Sequence, residues 1–291
     1  MMGWLDYFRA VGPRITWDRS LMRGAWTVPW LQLTGWMSRP SDTGTIAYFP
    51  QPAGPWYTLP LALMRTGIRR TSDLGKADAI MIFDDRTQSN ITLPITTARL
   101  INARATDVSK TQVGRLFEAI FDYPLTLDPL VHIGLMVEKS DTNGVHDGRI
   151  VTGPIASPRA DCVYQTLADS TVRDGVTEDL RCVCVDGEIV VVFRKEKATR
   201  DRFAPTYLET TLREAASVLS DHERANIAQF CEMIGLDFGS IDVLRDHAGD
   251  GRIYIVDVNK TCMPVLSMPV RELNKALHQI GVAVEALILR P

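Results

Sequence analysis

Along this chain the spacing of apolar positions changes period several times, and each change marks an element. Thr45–Phe49 is a short β-rich run, Tyr57–Met64 reads as a helix, and Ala79–Phe83 is a continuous apolar strand ending in Asp84 and Asp85. Strands apolar on both faces, with helices between them, predict a small parallel sheet. Ser109 and Gln112 form a capping-box pair ahead of Val113, Leu116, Phe117 and Ile120 at helical spacing, and Pro124 closes that segment. Strands follow at Val131–Glu138, Arg149–Thr152, Cys162–Leu167 and Asp179–Arg194, the last folded about Asp186–Gly187. Ser220 and Glu223 cap a helix that carries Ile227, Cys231 and Ile234 and stops at Gly235. A hairpin spans Gly239–Asn259, and the last helix turns Val270, Leu273, Leu277, Ile280, Val284 and Leu287 to one side. There is no internal repeat, and the order of elements is α+β with a small α/β front.

The first 40 residues break this regularity. Trp4, Trp17, Trp26, Trp30 and Trp36 lie there, with Trp56 soon after. Two readings stay open: an arm packed on the body or on a neighbouring subunit, which would make a homo-oligomer, or a membrane-surface anchor helped by Arg14, Arg19 and Arg23. Pro13, Pro29 and Gly35 are expected to break any long amphipathic helix here. Ser38–Gly44 then reads as a polar linker.

Composition narrows the class. The 291 residues are 45% hydrophobic and 23% charged with a net charge of −3, values of an ordinary globular protein. The acidic balance argues against a nucleic-acid partner. No apolar run reaches the roughly 18 residues of a membrane span, and the N-terminus lacks the order of a signal peptide. The five cysteines, Cys162, Cys182, Cys184, Cys231 and Cys262, are odd in number and spaced unlike a disulfide framework, so a cytoplasmic location is expected. Cys182 and Cys184 share one strand face, but no nearby histidine makes them a zinc pair.

The hairpin carries the most informative chemistry. Both of its strands are apolar and β-rich, yet each holds an acid deep in its run, Asp242 and Asp257, and Asn259 shares a face with Asp257. A four-residue loop, Ala248–Gly251, would pair His247 with Arg252 and set Asp242 opposite Asp257, whereas a five-residue loop would separate the acids. Facing carboxylates need neutralising, and with an amide oxygen they suit Mg²⁺. The alternative is one acid at a turn or edge and the other paired with Arg245 or Arg252.

Cations come from other segments. Lys139 ends a strand just before Ser140–Gly148, a stretch with Asn143, Gly144 and Gly148 whose N–H groups suit phosphates. Alone, it reads better as a solvated lysine at a strand end. Of Arg194, Lys195, Lys197, Arg200 and Arg202, most read as a solvated face, while Arg194 directly ends the apolar run Glu188–Phe193. Acids for a metal plus cations for phosphates are the requirements of phosphoryl transfer.

From Thr45 onward the order of features resembles the ATP-grasp superfamily, in particular D-alanine–D-alanine ligases and the glutamate ligases that modify ribosomal protein. Asn102 with Asp107-Val-Ser-Lys110, then Tyr123-Pro-Leu-Thr126, is similar to the passage into the family's central domain. Val137-Glu-Lys139 with its loop, Val163-Tyr-Gln165-Thr-Leu167, Asp179-Leu-Arg181 and Arg194 are similar to its lid, hinge and arginine segments. The resemblance implies that Lys110 and Lys139 contact ATP phosphates, and that Gln165 with Thr166 and Leu167 holds adenine. It further implies that Asp179 reaches the ribose, that Asp242, Asp257 and Asn259 hold Mg²⁺, and that Arg194 and Arg181 serve catalysis. There are departures. Asp257 stands where the family usually has Glu, Lys260-Thr261-Cys262-Met263-Pro264 replaces a small-residue turn, and the loop after Lys139 is poorer in glycine.

The expected layout is a Trp-rich arm (1–41), an N-terminal α/β domain (42–106), a central lid subdomain (107–168) and a C-terminal subdomain with the Mg²⁺ site (169–291), ATP lying between the last two. The implied function is ATP- and Mg²⁺-dependent joining of a carboxylate to an amine through an acyl phosphate, with an amino acid or peptide substrate. The alternatives are another phosphoryl-transfer enzyme of this fold, or a nucleotide-binding partner protein without catalysis.

Overall fold

A computed structural model describes residues 19–290. The chain divides into two compact units, the first comprising residues 1–83, 94–101 and 261–291 and the second residues 84–93 and 102–260.

The first unit begins with α1 (Arg19–Met37), which runs through Pro29. The expected break does not occur: a helix survives proline where neighbouring structure supports it, at the cost of one backbone bond. Support comes from Arg65, whose buried guanidinium donates to Leu31 O of α1 at 2.9 Å, to Leu61 O at 2.5 Å and, from Nε, to Asn274 Oδ1 at 3.0 Å. Burial lowers its pKa to about 10, so it stays charged at neutral pH. Gly35 is needed for the close approach, since a Cβ there would sit 2.8 Å from Arg65 Nη1. Trp4 and Trp17 lie outside the described residues.

The same unit holds a four-stranded parallel sheet ordered β2-β1-β3-β4, with β1 Gly44–Pro50, β2 Ile68–Arg70, β3 Ala79–Phe83 and β4 Arg99–Ile101. Every residue of β3 is buried, as its unbroken apolar run requires. Helix α2 (Thr58–Leu63) and the last helix, α5 (Val270–Leu289), complete this unit. The last helix therefore packs in the first unit, although its position in the sequence groups it with the C-terminal subdomain.

The second unit holds the two antiparallel sheets. A three-stranded sheet is ordered β6-β5-β7, with β5 Gly134–Ser140, β6 Arg149–Gly153 and β7 Cys162–Thr166. The larger sheet is ordered β11-β10-β9-β12-β13, with β8 (Thr171–Arg173) on the edge of β9. Its strands are β9 Val176–Val185, β10 Glu188–Ala198, β11 Glu209–Arg213, β12 Phe238–Arg245 and β13 Ile253–Asn259. Helices α3 (Lys110–Phe121) and α4 (Asp221–Ile234) contribute Val113, Phe117, Ile227 and Phe230 to the core, against Leu180, Cys182, Cys184 and Val192 of the sheet. Cys182 and Cys184 are thus core side chains.

Local chemistry explains the ends. Ser220 and Glu223 make a complete capping box on α4, and Gly235 ends it at φ 76°. Ser109 caps α3 by accepting from Gln112 N, but the reciprocal bond is made by Asp107, which accepts from Ser109 N at 2.8 Å. Asp122, in the left-handed region at φ 58°, stops α3 two residues before Pro124. Asp186 and Gly187, both at positive φ, form the tight turn from β9 to β10.

Candidate active site

Two β-bulges decide which side chains face the site. The loop between β12 and β13 has five residues, His247–Gly251, because Asp246 N donates to Arg252 O at 2.9 Å and Gly251 N to Asp246 O at 3.1 Å. An unbroken ladder from that loop would separate the two acids. Instead the register shifts between Asp242 and Val243, Val256 is left over, and Asp242 pairs directly with Asp257 and Ser240 with Asn259. The facing acids are therefore reached with a longer loop than the sequence suggested.

The second bulge lies in β10. From the Asp186–Gly187 turn an unbroken ladder would set Arg194 opposite Asp179. The register shifts between Ile189 and Val191, so Lys195 pairs with Asp179 and Arg194 with Leu180. Arg194 consequently lies on the opposite face from Asp179, Arg181 and Asp242. It forms an ion pair with Glu178 through Nε and another with Glu196 at 3.1 Å, and His247 Nε2 meets Glu178 Oε1 at 2.9 Å. Arg194 thus does not share a face with Asp179, Arg181 and Asp242, the residues with which it is expected to serve.

Lys195 and Lys197, expected on a solvated face, take its place. They are 2% and 8% exposed. Lys195 Nζ is 3.0 Å from Asp242 Oδ1 and 3.8 Å from Asp179 Oδ2, and Lys197 Nζ is 2.7 Å from Asp179 Oδ2. Arg181 grips Asp242 with two bonds, Nε–Oδ1 at 3.0 Å and Nη2–Oδ2 at 2.7 Å. Burial alone would raise the Asp242 carboxyl, but Arg181 and Lys195 outweigh it and hold the group well below the usual carboxylate range.

The small sheet supplies the opposing cations. Lys139 and Gln165 share one of its faces, since Lys139 pairs with Val163 and Gln165 with Val137. Lys139 Nζ donates to Val256 O, the bulge residue, at 2.9 Å. Burial pulls its pKa down to about 8, with Asp257 partly offsetting the shift. Lys110, at the first position of α3, donates to Thr142 O at 3.1 Å and to Asn143 Oδ1 at 3.0 Å, and lies 3.6 Å from Asp257 Oδ1. Asn143 in turn donates to Val258 O at 2.8 Å, so the β5–β6 loop is tied to the strand that carries Asp257. The exit of that loop is close-packed too, for a Cβ on Gly148 would meet the Phe203 ring at 2.6 Å.

The hinge residues are placed less uniformly. Gln165 is buried and its Nε2 has no hydrogen-bond partner. Thr166 is committed to the α3–β5 connection: its N–H donates to Leu125 O at 2.8 Å and its hydroxyl to Pro124 O at 3.1 Å. Leu167, just beyond β7, is half-buried. Asp179 is held by the two lysines, and Lys260 turns away from Asn259 to Ser89 Oγ and Ala105 O.

The donor set suits a hard divalent cation. Asp257 Oδ1 is buried and accepts no hydrogen bond, while Asn259 donates from Nδ2 to Asp257 Oδ2 at 3.3 Å. A buried carboxylate oxygen without a donor is costly, and a cation relieves that cost. Among the described residues no group of three or more His, Cys, Asp or Glu side chains gathers as a metal site, and both Asp242 oxygens accept from Arg181 and Lys195.

Several of these residues escape a reading of the sequence. Lys195 and Lys197 are found only by parity with Asp179 across the bulge. His146 sits in a loop with no period, and Asn143, read there for its backbone N–H, is engaged through its side chain. His146 has φ 56°, and burial lowers its pKa, with Asp257 opposing and Lys197, Arg181 and Asp242 also acting on it.

No family model matches the sequence, and no curated protein does. Solved structures do match. The ATP-grasp ligase PsnB, complexed with a phosphomimetic variant of minimal precursor, Mg and ADP, is similar with a TM-score of 0.50 at 13% identity over 83% of this chain and 100% of that one. PsnB with minimal precursor, Mg and ADP is similar with a TM-score of 0.50 at 12% identity over 84% and 96%. A D-alanine–D-alanine ligase from Bacillus anthracis, complexed with ATP, has a TM-score of 0.48 at 10% identity over 85% and 98%. With a three-stranded antiparallel sheet whose lysine reaches the bulged, acid-bearing strand of a larger antiparallel sheet, the chain has the ATP-grasp fold.

Proposed function

We infer that the protein is an ATP- and Mg²⁺-dependent carboxylate–amine ligase. One observation carries this reading: five cations, Lys110, Lys139, Arg181, Lys195 and Lys197, surround three acids, Asp179, Asp242 and Asp257, in a largely buried cluster. Buried charge without a counterion is costly, so the surplus of positive charge calls for an anion of at least comparable charge, and a polyphosphate meets that need. Asp257 Oδ1, which accepts no hydrogen bond and has Lys110 only at 3.6 Å, leaves room for a closer cation. Mg–nucleotide supplies both.

The chemistry follows from the charge map. A carboxylate is a poor electrophile because its oxygen is a poor leaving group. Its oxygen attacks the γ-phosphorus, the bond to the β-phosphate oxygen breaks, and ADP leaves with that electron pair. The amine then attacks the acyl carbon, inorganic phosphate departs, and the amine nitrogen gives up a proton to form the amide. Lys110 and Lys139 are suited to the phosphate chain, and Lys195 and Arg181 to charge on the transferring group. Asp242, Asp257 and Asn259 would hold Mg²⁺, which supplies Lewis-acid neutralisation of phosphate oxygens when bound. Gln165 would face the adenine, with Leu167 beside it. Thr166 would act by fixing the hinge, since its N–H is already used, and Asp179 would reach the ribose only by leaving a lysine.

The substrate class rests on fold likeness. PsnB is described in complex with minimal precursor, Mg and ADP, which favours an amino acid or peptide here. The test is ADP release from ATP across a panel of amino acids and peptides. Amine-dependent ADP release by the natural protein, absent in Asp257→Asn at unchanged melting temperature, is the expected result. Wild-type turnover by that variant would remove the metal assignment.

A further inference from the structure

We propose that α1 is a membrane-surface element whose outer face rests on an anionic lipid bilayer. Trp26, Trp30, Leu33 and Met37 recur at spacings of four, three and four, which places them on one side of the helix, and Trp36 borders the same strip. They are 81%, 55%, 47%, 72% and, for Trp36, 66% exposed. The opposite side is fixed to the first unit: Val28 and Leu31 are buried, Arg65 binds Leu31 O, and Gln32 donates to Pro55 O at 3.2 Å. The helix therefore presents three indoles outward from a held position. A row of exposed large apolar side chains marks an interaction surface, and indole, with an apolar body and one N–H donor, is the side chain best suited to the headgroup boundary.

Charge selects the occupant. Residues 1–41 hold five arginines and two aspartates, a net charge of +3 in a chain whose total is −3. No acid occurs from Arg19 to Ser41, a stretch that includes Arg19, Arg23 and Arg39. A basic, Trp-bearing segment on an otherwise acidic protein is complementary to an anionic surface. A second copy is the poorer fit, because a two-fold contact through α1 would bring the basic segment against itself. The helix would lie on the bilayer, since no helix among the described residues is long and apolar enough to cross one. This inference is independent of the ligase reading.

The experiment is co-flotation of the full chain with vesicles of phosphatidylcholine alone or mixed with phosphatidylglycerol, alongside the triple variant Trp26→Ser, Trp30→Ser, Trp36→Ser. These side chains are exposed, so the variant should melt like the natural protein, and that is checked first. The natural protein should float with the mixed vesicles, come off as salt is raised, and bind at least about tenfold better than the variant. Absence of binding to mixed vesicles, or equal binding to neutral ones, would overturn the proposal. So would a dimer in light scattering that the triple variant dissociates, because the face would then belong to a second copy.

Discussion

At the scale of single residues, one peptide bond separates two basic side chains with different work. Arg194 neutralises Glu178 and Glu196 on one face of the large sheet, and Lys195 sits 3.0 Å from Asp242 on the other. Replacing each separates the roles. Arg194→Ala should cost about 1–3 kcal/mol of stability, by removing one partner from each of two acids and leaving them to His247 and Arg173, and leave nucleotide affinity within about twofold. Lys195→Met should weaken Mg–nucleotide binding by about one to two orders of magnitude. Melting curves and equilibrium titration check both, and the reverse pattern would return Arg194 to the site. Lys139 gives a pH prediction. Its pKa is lowered to about 8 by burial, below the ordinary lysine value, so the unfolded chain holds the extra proton between the two. Stability of the ligand-free protein should therefore rise as pH rises from about 8 to about 10.4. Bound phosphates favour protonated Lys139, so nucleotide binding near pH 8 should take up protons. Calorimetry in two buffers of different ionisation enthalpy measures this, and identical heats would place Lys139 away from the phosphates.

At the scale of elements, the strands and helices were legible because their signals are local. Ser220, Glu223 and Gly235 mark both ends of α4, and the apolar run of β3 can only be a buried strand. Which face a side chain takes was legible within a strand but not between strands, because one bulge reverses the parity of everything beyond it. No residue type announces Val190 or Val256 as the extra one. Asp242 and Asp257 are paired in the sequence reading from a loop one residue too short, and the end of an apolar run does not tell which face Arg194 takes once a bulge intervenes. Pro29 was misleading for a similar reason, since the support that lets α1 continue comes from Arg65, distant in sequence. Deleting Val190 tests this reading. The deletion removes the extra residue and closes the bulge, so Lys195 stays opposite Asp179 and nucleotide binding should be retained. A deletion variant that folds but has lost nucleotide binding would show that the bulge does more than set the register.

At the scale of the whole molecule, the second unit contains every predicted site residue, and its two antiparallel sheets bring Lys110, Lys139, Arg181, Asp242 and Asp257 into one charged cluster. The fold was legible from the order of these residues along the chain. The grouping of α5 with the first unit was not, because a helix pattern says which side is apolar and nothing of which surface covers it. The central claim is that this cluster binds nucleotide phosphates together with a divalent cation. Its most direct test is calorimetric titration with a non-hydrolysable ATP analogue, with and without Mg²⁺, in the natural protein and in Asp257→Asn. The account predicts tight binding that depends on Mg²⁺ and is lost in the variant. Absence of binding in either condition, or binding indifferent to both Mg²⁺ and Asp257, would contradict it.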